Sequence, residues 1–171
     1  MKVNKANKLV ENLLLLAKRQ VLVGVPEETD PRKDGKGIGN AALAYVHDQG
    51  SPAQNIPPRP FMIPGIMKAQ DQINIELLAV AKAQLEENKE QVELHLKRAG
   101  LIAQSSIRNV INEGEGFTPL KRATLLARLR RRKAARKWSK DKREETMASF
   151  HPLVDTGQLR NSVVYQIVEK K

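Results

Sequence analysis

The spacing of apolar residues predicts a mainly helical chain with a short strand near each end. Leu9, Leu13 and Leu16 recur at helical spacing, so we expect an amphipathic helix over residues 3–19. Residues 20–25 are short, rich in valine and followed by a proline. This pattern is typical of a β-strand, and we predict that it begins the sheet.

The central part of the chain keeps a helical pattern from residue 65 to about residue 113. Asn88 and Gln91 resemble an N-cap pair, so we expect two helices or a kink near residues 86–89. Residues 162–168 then alternate in character, which predicts a closing strand.

A loop-rich insertion at residues 26–64 separates the first strand from the central helices. Asn40 is expected to cap a short helix over residues 41–49, which Gly50 ends. Residues 51–64 contain five prolines, so we expect this segment to run extended.

These elements place the chain in the α+β class, since strands do not alternate with helices as in parallel β-α-β units. We predict a single α+β domain over residues 1–171 with an N-terminal helix. A small, mostly antiparallel sheet would include the C-terminal strand. Long central helices would precede a basic helical arm at about residues 118–148.

Charge is concentrated in that arm. The chain has 30 Lys and Arg against 19 Asp and Glu, a net charge of +11. Residues 117–143 contain twelve Lys and Arg and one acid, Asp141, so the rest of the chain is close to neutral. Clustered positive charge suits nucleic-acid phosphates or an acidic partner. The side chains that we expect to make such contacts are Arg128, Arg130, Arg131, Arg132, Lys133, Arg136 and Lys137.

Residue types that carry chemistry are scarce. The chain has no cysteine, and its three histidines lack partners at ligand spacing, so we predict neither a metal nor a cofactor. Asp155-Thr156-Gly157 superficially matches the aspartic protease signature, but that reaction needs two carboxylates sharing a proton. A helix cap is the preferred interpretation, and we predict no catalytic residue. No stretch approaches the ~18 apolar residues of a membrane span.

Three segments taken together resemble one family. Residues 45–50 (YVHDQG) lead into residues 56–61 (IPPRPF), and residues 152–163 (PLVDTGQLRNSV) precede the last strand. Their order is similar to that of phage virion morphogenesis and tail completion proteins, which include head–tail joining proteins. Pro58 stands where that family commonly has a small residue. The basic segment is longer and more charged than the linker expected there, so its role is not inherited.

The resemblance implies a structural, non-enzymatic protein of a tailed bacteriophage that joins head to tail or completes the head-proximal end of the tail. Such a protein forms a homo-oligomeric ring, expected to be six- or twelve-fold, at the neck of the virion. It would assemble in the bacterial host cytoplasm with other neck and tail proteins and would contact genomic DNA only non-specifically. The residues expected at subunit or partner interfaces are Arg59, Pro60, Phe61, Asp155, Thr156, Gly157, Leu159 and Arg160.

Two alternatives stay open at this point. Arg59, held between prolines, is expected either to pair with Asp155 or to present its guanidinium to a neighbouring subunit. The second hypothesis for function is a phage nucleic-acid-binding or DNA-packaging accessory protein that acts through its basic arm. A DNA affinity that falls steeply with salt would favour it.

Overall fold

The computed structural model describes residues 2–27 and 38–170, with side chains described from residue 7 onward. Within these residues the chain forms eight α-helices, two strands and two 3₁₀ turns. The elements in chain order are α1 (Lys2–Ala17), β1 (Arg19–Gly24), α2 (Asn40–Gln49), a 3₁₀ turn (Pro52–Gln54), α3 (Met62–Lys68), α4 (Gln70–Leu85), α5 (Lys89–Glu113), α6 (Arg122–Arg131), a second 3₁₀ turn (Lys133–Lys137), α7 (Lys140–Ala148), α8 (Gln158–Ser162) and β2 (Val164–Glu169).

The chain divides into two compact units, each built from segments distant in sequence. The first unit comprises Met1–Val25, Met62–Ile107 and Val163–Lys171. The second comprises Pro26–Phe61 and Arg108–Ser162, and therefore contains all but the last residue of the three segments that carry the family resemblance. The predicted single domain over residues 1–171 stays a prediction.

The first unit contains the sheet. β1 and β2 pair antiparallel, with the register running from Arg19 opposite Glu169 to Gly24 opposite Val164. This confirms the predicted α+β class with a small antiparallel sheet that includes the C-terminal strand. Valines and isoleucines favour the extended backbone here, and both strands lie close to their predicted positions.

The core of the first unit lies between α4, α5 and the sheet. Val80, Ala83, Val92 and Leu96 are buried together, and Leu16, Val21 and Ile167 pack against them. The predicted break between the central helices is confirmed, since α4 ends at Leu85 and α5 begins at Lys89. The Gln91 backbone N–H donates to Asn88 Oδ1 at 3.2 Å, so Asn88 satisfies a backbone donor that the helix leaves free.

Two glycines allow close packing in the first unit. A Cβ built on Gly65 would lie 2.6 Å from the Ile107 Cα atom, and a Cβ on Gly100 would enter the ring of Tyr165. The Ser106 hydroxyl also donates to the Gly65 carbonyl oxygen at 2.6 Å. The contact of α3 with α5 therefore depends on the missing side chain at residue 65.

The loop-rich insertion differs from prediction at two places. Asn40 does not cap α2, because Gly39 takes the cap position and Asn40 is buried inside the helix at 1% exposure. Residues 51–64 do not run extended throughout, since they include the 3₁₀ turn and the start of α3. Pro64 is tolerated there because the first turn of a helix lacks partners for its N–H groups.

The basic segment is helical, as predicted, but it is interrupted. α6 ends at Arg131, the chain turns through the second 3₁₀ turn, and Ser139 caps α7 by accepting from Lys142 N–H at 3.3 Å. The turn lets α6 and α7 share a small core, which one straight helix would leave exposed. We call residues 122–150 the basic lobe; its core residues are Leu125, Leu126, Leu129, Ala135, Trp138, Met147 and Phe150.

We expect Gly65→Ala to destabilise the chain by about 1–3 kcal/mol, because the added methyl group collides with the backbone of Ile107. Gly24→Ala is the matched control, since a Cβ there meets only the end of the Met62 side chain at an ordinary 3.7 Å. Urea unfolding of both variants measures the difference. Equal midpoints for the two variants would contradict the close approach of α3 and α5.

Candidate functional site

The first two resemblance segments are joined by hydrogen bonds at the end of α2. The Arg59 backbone N–H donates to the His47 carbonyl oxygen at 2.8 Å, and the Phe61 N–H donates to Asp48 Oδ1 at 2.8 Å. Gly50 has a φ of 80°, and a Cβ there would lie 2.8 Å from the nitrogen of Pro58. The glycine that ends α2 thus lets the proline-rich segment fold back along the helix end.

The third resemblance segment is held by two arginines of α6. Arg131 Nη2 lies 2.6 Å from Asp155 Oδ2, and Arg128 Nε lies 3.8 Å from Asp155 Oδ1. Arg128 Nη1 also donates to the carbonyl oxygens of His151 and Val154 at 2.9 Å each. These bonds fix the corner before α8 to the surface of α6.

The predicted pairing of Arg59 with Asp155 is therefore wrong. The carboxylate of Asp155 is taken by Arg128 and Arg131, while Arg59 Nε donates to the Thr118 carbonyl oxygen at 2.9 Å. The two arginines of α6 are three residues apart and so lie on one face of the helix. The spacing of these two arginines is visible in the sequence, but the sequence does not show that both lie against Asp155.

The remaining predicted interface residues fall into two groups. Phe61 and Leu159 are buried within the chain, so their side chains hold the site together and are not available to a partner. Pro60 and Thr156 are exposed, and Thr156 Oγ1 accepts from the Gln158 N–H at 3.4 Å at the start of α8. Within the Asp155-Thr156-Gly157 segment interpreted as a helix cap, Thr156 is therefore the residue whose side chain accepts this bond.

Gly157 and Arg160 complete the corner. Gly157 adopts a φ of 77°, which few other residues take without strain. Arg160 is attached to the end of α5, because its Nη1 donates to Asn112 Oδ1 at 3.1 Å. Both residues thus shape the corner of the second unit.

A cavity of about 450 Å³ opens in the second unit where the resemblance segments meet. Its lining combines apolar walls with an excess of positive charge. Among the described residues, the charged or titratable residues of the lining are Arg59, Lys121, Arg128, Arg131, His47 and one carboxylate, Asp155. The apolar residues of the lining include Leu43, Ile56, Pro57, Leu120, Leu153 and Leu159. We call this cavity the cationic pocket.

Arg59 is the most buried cation of the pocket. The residue is 6% exposed, and its side chain donates to a neutral carbonyl oxygen. Burial lowers the pKa of Arg59, and the positive charge of Arg128 lowers it further. Burial likewise lowers the pKa of Arg128, with Asp155 opposing the shift and Arg131 adding to it. The positive charge in this pocket is only partly balanced.

His47 lies beside these arginines. Burial lowers the pKa of His47 first, and the charges of Arg59 and Arg128 lower it further. Its Nδ1 atom is buried with no hydrogen-bond partner among the described residues. The ring is accordingly neutral at neutral pH and adds a polar atom to the pocket without adding charge.

The basic lobe presents most of the predicted phosphate-contacting residues. Arg130, Arg131, Arg132, Lys133, Arg136 and Lys137 are exposed, whereas Arg128 is drawn into the cationic pocket. Trp138 is half-buried in the lobe core, with Lys142 Nζ 5.5 Å from its ring centroid. Trp138 therefore packs against the lobe core.

Within the described residues, no group of three or more His, Asp or Glu side chains is placed to hold a metal ion. None of the helices described is both long and apolar enough to cross a membrane. Comparisons of this chain with protein-family models, with curated proteins and with solved structures give no match.

We expect Asp48→Ala to lower the free energy of unfolding by about 1–3 kcal/mol, because it leaves the buried Phe61 N–H without its acceptor. Asp48→Asn retains a side-chain oxygen and should lose less. Gln49→Ala is the control, since it removes the exposed neighbour that donates to the other carboxylate oxygen. If denaturation midpoints of Asp48→Ala and Gln49→Ala coincide, this bond does not hold the two segments together.

The lowered pKa of His47 predicts a loss of stability in acid. Above its ordinary pKa of about 6.5 the residue is neutral in both the folded and the unfolded chain. As pH falls below that value the unfolded chain takes up the proton and the folded chain resists it, so folding weakens. His47→Gln should flatten the decline of the urea midpoint between about pH 7.5 and 5.5. An identical decline in the variant would contradict this assignment.

Proposed function

We propose that this chain is a structural virion protein of a tailed bacteriophage, acting as one subunit of a ring that joins head to tail or completes the head-proximal end of the tail. The observation that carries the proposal is the meeting of the three resemblance segments. Residues 152–163 are far in sequence from residues 45–50 and 56–61, yet members of all three segments line one pocket of the second unit. A shared site gives a physical reason for their occurrence together.

Exposed apolar residues of the first unit support a role in assembly. Several large apolar side chains on α1 and α4 remain half or more exposed, which leaves them available for contact with another protein surface. The exposed residues on these two helices include Val10, Leu13, Leu14, Leu15, Ile75 and Leu78. In a ring they would contact a different surface of the next subunit, as heterologous contacts that close by rotation require.

The proposal assigns no catalytic role. Among the described residues, Asp155 is the one carboxylate that lines the cationic pocket, and Arg128 and Arg131 lie against its oxygens. Aspartic protease chemistry needs a second carboxylate that shares a proton with the first. We accordingly place the chain in the virion neck, assembled in the host cytoplasm with other neck and tail proteins.

A second candidate function, DNA binding or packaging, is favoured by the basic lobe. A cavity of about 680 Å³ in this lobe is lined, among the described residues, by six cations, five apolar residues of the lobe core and the acid Glu144. Exposed guanidinium and ammonium groups suit duplex phosphates, which are recognised through charge without sequence readout. The cationic residues of this lining are Arg122, Arg130, Arg132, Arg136, Lys140 and Arg143.

Electron microscopy of a phage lysate that lacks this one chain tests the proposed structural role. We expect full heads and separate tails that do not join, or tails of defective length. Supplying the chain from a plasmid should restore joined particles and serves as the control. Normal infectious particles without the chain would reject the structural role and bring the DNA-binding function to first place.

The salt dependence of DNA binding tests the second function. Changing Lys133, Arg136 and Lys137 to Gln should weaken binding to duplex DNA. It should also reduce the slope of log affinity against log salt by about one for each phosphate that the variant no longer neutralises. The same change at Lys82, Lys89 and Lys97, lysines of the first unit, is the charge-matched control. Equal slopes for both triple variants would exclude the lobe as the DNA contact.

A further inference from the structure

We infer that the cationic pocket receives a carboxylate carried on an acidic segment of a neighbouring protein subunit, with Arg59 as its central contact. The inference rests on the proposed function for the origin of that subunit, and it names the chemistry by which the subunit would be recognised. The geometry of the pocket itself stands independently of that function.

Arg59 is a buried charge without a counter-ion among the described residues. Its side chain contacts a carbonyl oxygen, and no ion pair within 4.0 Å joins it to a carboxylate of the described chain. Burying a charge without an opposite charge is costly, so proteins pair such groups or bind a ligand at them. A guanidinium has five N–H donors; the Nε–H of Arg59 donates to the Thr118 carbonyl oxygen, and Arg59 is one of the residues that line the pocket.

The acid already present in the pocket does not meet this need. Asp155 is held by Arg131 at 2.6 Å and by Arg128 at 3.8 Å, one arginine on each oxygen. Lys121 also lines the pocket, and its Nζ makes a long, weak hydrogen bond of 3.5 Å to the Asn55 carbonyl oxygen. The lining therefore keeps positive charge in excess after its internal pair has formed.

The shape of the pocket favours a protein carboxylate over a DNA phosphate. Arg59 is 6% exposed and lines the pocket together with apolar residues that include Leu43, Ile56 and Pro57. Duplex phosphates are contacted by cations that project from the protein surface, as those of the basic lobe do. A carboxylate at the end of an apolar stem enters a recess, matches the planar guanidinium in two hydrogen bonds, and places its methylene groups against the apolar walls.

The test uses the full chain and N-acetyl-leucine as the probe, which carries one carboxylate beside one apolar side chain. Titration followed by two-dimensional NMR of the ¹⁵N-labelled protein should give saturable shifts of amides around the pocket. N-acetyl-leucinamide has the same stem without the charge and should bind at least tenfold more weakly. Equal shifts from the two probes would overturn the inference.

Two pairs of variants locate the site. Arg59→Gln should weaken N-acetyl-leucine binding at least tenfold, while Arg130→Gln, an exposed arginine of α6 outside the pocket lining, should leave it within twofold. Thr124 is exposed at the pocket, so Thr124→Glu should weaken binding tenfold by presenting its own carboxylate, and Thr124→Gln should not. The Thr124 pair keeps the test decisive if Arg59→Gln fails to fold. Equal binding by Thr124→Glu and Thr124→Gln would count against the pocket.

A competition experiment distinguishes a protein carboxylate from a phosphate as the anion that the pocket prefers. Inorganic phosphate or a short DNA duplex that displaces N-acetyl-leucine from the pocket at equal or lower concentration would overturn the choice of a protein carboxylate. Failure of the proposed function has a different signature, since a phage that assembles normally without the chain leaves probe binding by the purified protein unchanged. If the chain is required for head–tail joining but does not bind the probe, the inference about the pocket is rejected and the proposed function is not.

Discussion

A buried guanidinium is the constraint on which the second unit depends. Arg59 is removed from water between prolines, and the chain supplies one carbonyl oxygen to its side chain and one to its backbone. The backbone bond joins it to the end of α2, and the side-chain bond joins it to Thr118, just before α6. A single residue thus connects the proline-rich segment to the parts of the unit on either side of it.

The arginines of α6 extend this arrangement to the C-terminal corner. Arg128 donates to two carbonyl oxygens of the segment that precedes α8 and shares Asp155 with Arg131. The carboxylate of Asp155 therefore pairs with two guanidinium groups, while the Arg59 side chain, among the described residues, donates to the carbonyl oxygen of Thr118. Attraction to an opposite charge offsets the desolvation cost of a buried charge only when that opposite charge is present. The excess of positive charge in the pocket therefore favours binding of an anion from outside the chain.

Local signals explain which parts of the fold the sequence predicts well. The cap at Asn88 and the valine-rich strand segments act through neighbours in the chain, so the helix break and the strand pair are predictable. The interruption of the basic segment was not, because Ala, Leu, Arg and Lys all favour helix and the turn is set by packing of Trp138 and Met147 onto α6. Tertiary contact outweighed local preference there.

The candidate site shows the same division. The Asp155-Thr156-Gly157 segment was expected to form a helix cap, and Thr156 accepts a backbone hydrogen bond at the start of α8. The partner of Arg59 was not predictable, since a backbone carbonyl such as that of Thr118 has no residue signature. Phe61 and Leu159 were expected at an interface and are buried within the chain; an interface residue and a core residue look alike in an apolar pattern.

A cryo-electron microscopy map of the neck of the intact phage tests the central claim most directly. The account predicts a ring of identical copies of this chain at the head–tail junction, with a carboxylate of a neighbouring subunit against Arg59. A neck that lacks the chain, or a ring in which the cationic pocket faces open solvent in every copy, would contradict it.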